Sequence, residues 1–177
     1  MEIRAKCRFD KETIKALAHV SVYKKSNPKK TVLVRTILYF SLIVLCLAEM
    51  FVFEFNDLPV LLIIIAILMI FLDSFFYFCL PRIQYKSLAK MKEAENNYVF
   101  HNNEIKVFTA SAEYNGEAKI EYSLFVKVYE TSRYFFLYQT NNQVFVVNKS
   151  TVENGSVHDI RAVLSGAIKG KYVICKY

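Results

Sequence analysis

Few residues in this sequence stand at spacings that support catalysis or metal binding. The histidines His19, His101 and His158 have no Cys, Asp or Glu nearby at metal-ligand spacing. The chain lacks G-x-S-x-G, H-E-x-x-H and a Gly-rich phosphate loop, and it contains only four glycines. We therefore predict no catalytic residue, no metal site and no cofactor, and we expect the protein not to be an enzyme.

The four cysteines, Cys7, Cys46, Cys79 and Cys175, are scattered, and no C-x-x-C pair occurs. Two of them fall within long apolar runs. This usage indicates small hydrophobic side chains in a reducing or lipid setting rather than a disulfide framework.

Two apolar stretches, at 32–55 and 58–80, dominate the middle of the chain. Each exceeds the roughly 20 residues that an α-helix needs to cross a bilayer. Backbone groups in lipid must hydrogen bond within their own segment, which favours helices. Asn56-Asp57 separates the stretches and Pro59 suits a first helical turn, so residues 32–80 are predicted to form a transmembrane helical hairpin.

Two acids, Glu49 and Asp73, lie inside these stretches. Counting from opposite ends places them roughly 11 Å apart along the membrane normal, which is too far to pair within one hairpin. We interpret them as tolerated polar residues or assembly contacts. An ion path is the alternative, because ionisable groups in membrane spans often mark one.

Positive charge flanks the apolar block. Residues 1–31 carry nine Lys/Arg against three Asp/Glu, whereas the acidic connection at 54–57 carries no Lys or Arg. The bias predicts a multi-pass protein of the cytoplasmic (inner) membrane with both termini cytoplasmic. The residues interpreted as orientation determinants or anionic-lipid contacts are Lys24, Lys25, Lys29, Lys30, Arg35, Arg82 and Lys86. The region after the spans has little excess charge, which argues against a nucleic-acid partner.

The remaining sequence predicts a cytoplasmic body. Residues 81–97 read as a juxtamembrane helix, and residues 98–177 as an antiparallel meander closed by a helix. Turn signals separate five candidate strands, and Ser156 with Asp159 can cap the final helix. The predicted strands are 98–101, 104–113, 118–130, 133–140 and 143–149, with Asn115-Gly116 as the strongest turn signal.

The N-terminal residues are expected to complete that body. From Glu2 to Phe9 the odd positions are apolar and the even ones charged, which is typical of a half-buried strand. Asp10 can cap a following helix. A lone strand is unstable in water, so residues 1–31 are predicted to pack with the later sheet.

Several features together resemble the YcxB-like family of bacterial membrane proteins. They are two spans, a meander, Phe136-Leu137-Tyr138, and Val144-Phe145-Val146-Val147-Asn148-Lys149 before a final helix. Asn148 stands where the family usually has proline. The resemblance implies a membrane α+β fold with a pleckstrin-homology-like (PH-like) bent sheet and a C-terminal helix, but no reaction.

The function expected from these features is a non-enzymatic, membrane-anchored module. Its bilayer-tethered cytoplasmic domain would mediate protein–protein, self or membrane-surface interaction, with no small-molecule substrate. The segment 134–138 is apolar on both faces and can be covered by the N-terminal helix, the bilayer or a partner. The candidate partner surface is Tyr134, Phe136, Tyr138 and Lys149. The alternatives are a toxin-immunity or defence accessory protein, and a small transporter or channel subunit.

Overall fold

The computed structural model describes residues 2–24, 26–52, 57–87, 94–110, 115–168 and 170–175. The helices are α1 (Lys11–Tyr23), α2 (Pro28–Val52), α3 (Asp57–Ser74), α4 (Leu80–Ser87) and α5 (Val157–Ala167). The strands are β1 (Ile3–Arg8), β2 (Glu95–Phe100), β3 (Glu104–Ala110), β4 (Asn115–Glu121), β5 (Lys127–Glu130), β6 (Tyr134–Tyr138), β7 (Val144–Asn148) and β8 (Tyr172–Ile174).

The N-terminal strand and helix follow from local signals. Side chains of β1 alternate between buried and exposed, with Ile3, Ala5 and Cys7 facing inward. Asp10, two residues after the strand, caps α1, because its carboxylate accepts a 2.8 Å hydrogen bond from the Thr13 amide. The helix ends at Tyr23.

Helices α2 and α3 pack against each other and are long and apolar enough to cross a membrane. A π-helical turn at Phe75–Cys79 joins α3 to α4, so a single helical segment runs from Asp57 to Ser87. Cys46 and Ala66 are buried, as small side chains at a close helix contact should be. Most large apolar side chains of both helices are exposed.

The strands form two four-stranded sheets. The first has the order β1-β2-β3-β4 and is antiparallel throughout. The second has the order β7-β6-β5-β8, in which only the β5–β8 pairing is parallel. Together with the helices they give the chain an α+β fold, as predicted.

The prediction of one continuous strand at 118–130 is wrong, and with it the single five-stranded meander. A 3-10 turn at Tyr122–Leu124 divides the segment into β4 and β5, which belong to different sheets. Tyr122 and Phe125 are both buried, whereas Leu124 is exposed. The turn therefore delivers two large rings, three residues apart, to the same interior, which a period-two strand does not allow.

Two further boundaries differ from the prediction. Glu95 begins β2 rather than lying in the predicted juxtamembrane helix at 81–97, because residues 95–100 pair with β1 on one side and β3 on the other. Residues 88–93 of that predicted helix lie outside the described part. Asn115 and Gly116 belong to β4, opposite Ala110 and Thr109, rather than to a turn. The connection at 111–114 is likewise not described.

Helix α5 packs on the sheets and completes the core. Its Ser156 cap and Asp159 form the capping box that the sequence indicates. Ile160, Leu164 and Ile168 are buried in the same apolar cluster as the inner faces of both sheets. Gly170, at φ +76°, turns the chain after α5 into β8, in a conformation that favours glycine.

Candidate functional site

The two sheets with α1 and α5 form a folded unit that we call the head. The buried carboxylate of Glu130 organises its polar interior. Glu130 ends β5 and is only 2 % exposed. Lys149 Nζ donates to its Oε1 at 2.6 Å, Arg161 Nε donates to its Oε2 at 2.9 Å, and the Tyr172 hydroxyl donates to its Oε2 at 2.5 Å. We call these four residues the Glu130 centre. They join β5, the turn after β7, α5 and β8.

Lys149 is held in this centre by its surroundings. Its ammonium group also donates to the Thr131 carbonyl and lies 4.7 Å from the centroid of the Phe135 ring. Asn148 caps the 3-10 turn that carries Lys149, because its side-chain oxygen accepts a 3.0 Å hydrogen bond from the Ser150 amide. Asn148, which stands where the family that the sequence resembles usually has proline, thus shapes this turn.

The electrostatics of the centre suit cohesion rather than proton transfer. Burial opposes ionisation of Glu130, but hydrogen bonds from Arg161, Lys149 and Tyr172 outweigh it and lower the carboxyl pKa to about 2. Burial and the Glu130 carboxylate raise the pKa of the Tyr172 hydroxyl. A permanently charged carboxylate whose oxygens are occupied by donors is a poor general base at neutral pH.

The predicted partner surface on β6 is wrong as an exposed surface. Phe136 is fully buried, Tyr134 nearly so, and Tyr138 partly buried. Helix α1 covers this strand: its Ala16 lines one cleft together with Tyr134, and its Ser21 lines another together with Tyr138. Of the three covers that the sequence left open, the N-terminal helix is the one observed. Lys149, the fourth predicted contact, belongs to the Glu130 centre.

A second ion pair lies between the apolar helices. Arg35 of α2 donates through Nη1 to Asp73 Oδ1 of α3 at 3.0 Å, and the Asp73 side chain is 10 % exposed. Sequence reasoning assigned these residues to separate roles and missed the pair. Its signal was available, since Arg35 and Asp73 both lie a few residues inside the same end of the two apolar stretches. Glu49 lies exposed in the other half of α2.

The junction between α1 and the apolar helices is built around His19. Its Nε2 lies 3.3 Å from the Tyr77 carbonyl, and the two rings stack with centroids 4.9 Å apart. Pro81 has no N–H to donate to the carbonyl four residues earlier, which is that of Tyr77. His19 thus donates to a carbonyl that the proline deprives of its usual helical partner, and it fastens α1 to the π-helical turn.

The remaining predicted cations are spread over the same end of the helices. Lys24 follows α1, while Lys25 lies outside the described residues. The other members, Lys29, Lys30, Arg82 and Lys86, are exposed on the first turn of α2 and on α4.

A groove of about 550 Å³ crosses the outward face of the first sheet. It is lined by Arg4 and Lys6 of β1, Val99 of β2, Lys106 and Phe108 of β3, the adjacent carboxylate Glu153 and five other residues. Arg4 is partly neutralised, because it donates to Glu2 at 2.9 Å. The groove combines apolar and charged side chains, and sequence reasoning did not identify it.

The described residues hold no cluster of three or more His, Cys, Asp or Glu side chains that could bind a metal ion. The cysteines among them are free thiols, and burial raises the pKa of Cys7 to about 12, which keeps that thiol protonated.

One comparison with known proteins gives a match. Residues 103–164 match the family described as YcxB-like protein, which confirms the resemblance over that stretch. The match includes Glu130, Lys149 and Arg161 of the Glu130 centre. No curated protein and no solved structure matches the chain.

Replacement of the buried acid tests the role of the Glu130 centre. Glu130→Gln leaves two cations without their carboxylate, so we expect the free energy of unfolding at pH 7 to fall by about 3–5 kcal/mol. The carboxyl pKa drops from an ordinary 4.5 to about 2 on folding, so its stabilisation is present above pH 4.5 and is lost as pH falls toward 2. Urea unfolding in detergent should show that the difference in free energy of unfolding between wild type and variant becomes smaller as pH falls from 4.5 toward 2. The exposed Glu117→Gln serves as control; parallel curves for Glu130→Gln and wild type would contradict this assignment.

A double-mutant cycle tests the pair between the apolar helices. We expect Arg35→Gln and Asp73→Asn to be coupled by about 0.5–3 kcal/mol, because each single change leaves the other charge uncompensated. Thermal unfolding in a fixed detergent measures the four members of the cycle. The matched cycle with Glu49→Gln in place of Asp73→Asn should be additive, and equal couplings in both cycles would show that the contact is not specific.

Proposed function

For this chain, YcxB-like over residues 103–164, we propose a non-enzymatic, membrane-anchored role. Helix α2 and the segment from α3 to α4 cross the cytoplasmic membrane as a hairpin. The α+β head is a PH-like domain that binds a protein partner at the cytoplasmic surface. The observation that carries this proposal is a folded head whose strands flank two apolar helices with uncovered side chains.

Exposure of the two helices supports the membrane anchor. Leu45 and Phe71 are about two-thirds exposed and Phe51 is 91 % exposed. Leaving such side chains in water forfeits roughly 1.5–3 kcal/mol for each, and a hydrocarbon environment removes that cost. A soluble protein would bury helices of this length against a larger core.

The first sheet supports the same-side placement of both flanks. Strand β1 precedes the apolar helices, β2 follows them, and the two strands pair over six residues from Ile3↔Phe100 to Arg8↔Glu95. Two membrane crossings return the chain to its starting side, as this pairing requires. The surplus of Lys and Arg at that end of the helices favours the cytoplasmic side.

The arrangement of the head supports a PH-like interaction domain. Two small sheets share one apolar core. Helix α5 follows the seventh strand and packs on that core. The groove on β1, β2 and β3 offers Phe108 at 36 % exposure beside Lys106 and Lys6. Exposed aromatic side chains such as Phe108 are enriched in protein-binding surfaces.

The ion pair between α2 and α3 favours anchoring over transport. Arg35 compensates Asp73 within the chain, so this acid has a structural partner and need not mark an ion path. Helices α2 and α3 also pack against each other and bury the small side chains of Cys46 and Ala66, which leaves little room between the helices.

Site-directed labelling tests the topology. In a variant without native cysteines, Lys29→Cys and Lys86→Cys should react with an impermeant maleimide only after cells are permeabilised. Asp57→Cys, at the opposite end of the helices, should react in intact cells. Reaction of Lys29→Cys in intact cells would contradict the orientation, because the charge bias places that end inside.

Photocrosslinking tests the binding surface. A photoreactive amino acid at Phe108 should give a discrete protein adduct in cells, and the added change Lys106→Glu should reduce it about tenfold because it reverses a groove charge. Leu124 is 53 % exposed outside the groove and provides the control position. Equal adducts at both positions, or adducts with lipid alone at Phe108, would contradict a partner at this groove.

A further inference from the structure

Two adjoining clefts lie where α1 meets the inner ends of the apolar helices, and we call them together the junction site. One, of about 150 Å³, lies against Lys11, Lys15 and Arg82, and the other, of about 320 Å³, against Lys15, His19 and Lys29. Both share Lys15 and Tyr77. We propose that the junction site binds the phosphate of an anionic glycerophospholipid, which rests on the proposed membrane anchor.

The charge of the junction site favours an anion. Lys11, Lys15, Lys29 and Arg82 come from three different helices, and neither cleft is lined by an Asp or Glu. Among the described residues, no carboxylate lies within ion-pair distance of these four cations. Glu12, the neighbouring acid on α1, is directed to Arg133 at 3.2 Å. Four uncompensated positive charges around one recess attract a phosphate group.

Backbone polarity at the site adds to this attraction. The second cleft reaches Asn27 and Pro28, where α2 begins, and Asn27 caps that helix through a 3.2 Å hydrogen bond from the Lys30 amide. The N-terminus of a 25-residue helix carries partial positive charge toward the cleft.

The shape of the site is set by rigid contacts rather than by side-chain flexibility. His19 stacks on Tyr77 and donates to its carbonyl, so α1 and the π-helical turn hold a fixed distance. Lys11 and Lys15 are one helical turn apart on α1 and therefore project from the same face. Both clefts lie beside the widened turn at Phe75–Cys79, since Tyr77 lines each of them.

The surroundings select a lipid over a soluble phosphate. Phe78 lines the first cleft and is 56 % exposed, and Ile83, five residues further along, is 51 % exposed. A ligand with an anionic head and acyl chains can satisfy the cations and these apolar side chains together, whereas free phosphate satisfies only the former.

Lipid titration of the full-length protein in detergent tests this proposal. Native mass spectrometry would follow binding of phosphatidylglycerol, with phosphatidylcholine as the zwitterionic comparison. The test variant is Lys15→Gln with Arg82→Gln, and the control is Lys30→Gln with Lys86→Gln, which removes the same charge from exposed positions outside the clefts. We expect about 30-fold weaker phosphatidylglycerol binding in the test variant, since each cation near an anionic headgroup contributes about 1 kcal/mol.

The outcomes separate a built site from diffuse charge and from a soluble ligand. Less than a threefold change in the control, with the full loss in the test variant, supports the junction site. Equal losses in both variants would overturn it, as would competition by glycerol 3-phosphate as strong as that of the lipid. Carbonate washing of membranes tests the membrane anchor separately. Release of the wild-type protein by the wash would refute the anchor. Retention of the protein without selective lipid binding would refute only the junction site.

Discussion

The head of this protein depends on the compensation of one buried charge. An ionised carboxylate inside a protein is costly unless donors surround it, and Glu130 has an ammonium, a guanidinium and a phenol within hydrogen-bond distance. These donors come from the turn after β7, from α5 and from β8. The charge therefore selects the arrangement in which those elements converge, since any other placement leaves it unpaired. Three of the four residues of the Glu130 centre lie within the stretch that matches the YcxB-like family.

Elements whose signals are local could be predicted from the sequence. Alternation specifies β1, Asp10 specifies the start of α1, and Ser156 with Asp159 specifies the start of α5. Each of these rests on contacts within a few residues. The division of 118–130 could not be predicted in this way, because the turn at Tyr122–Leu124 is stabilised by burial of two rings in a core assembled from both sheets. Strand β8 has only three residues and pairs with the distant β5.

The polar sites show the same division between local and distant information. The sequence analysis named Asp73, Arg35 and Lys149, but it paired neither Arg35 with Asp73 nor Lys149 with Glu130, because the partners lie on separate segments. The apolar run of β6 was noticed, but its cover by α1 depends on a contact across more than a hundred residues. Lys11 and Lys15 gave no signal at all, because charged residues on an exposed helical face are ordinary until a neighbouring helix encloses them.

The pairing of β1 with β2 has a consequence for biosynthesis. Eighty-six residues, including both apolar helices, separate Arg8 from Glu95, so the first strand leaves the ribosome long before its neighbour is translated. Closing so long a loop is entropically unfavourable in a free chain. Delivery of the two helices to the bilayer as a hairpin would shorten that search by bringing residues 8 and 95 together on one side. Membrane targeting would then act as a folding step for the soluble-looking part of the molecule, and nascent chains that miss the bilayer would expose an unpaired edge strand to aggregation.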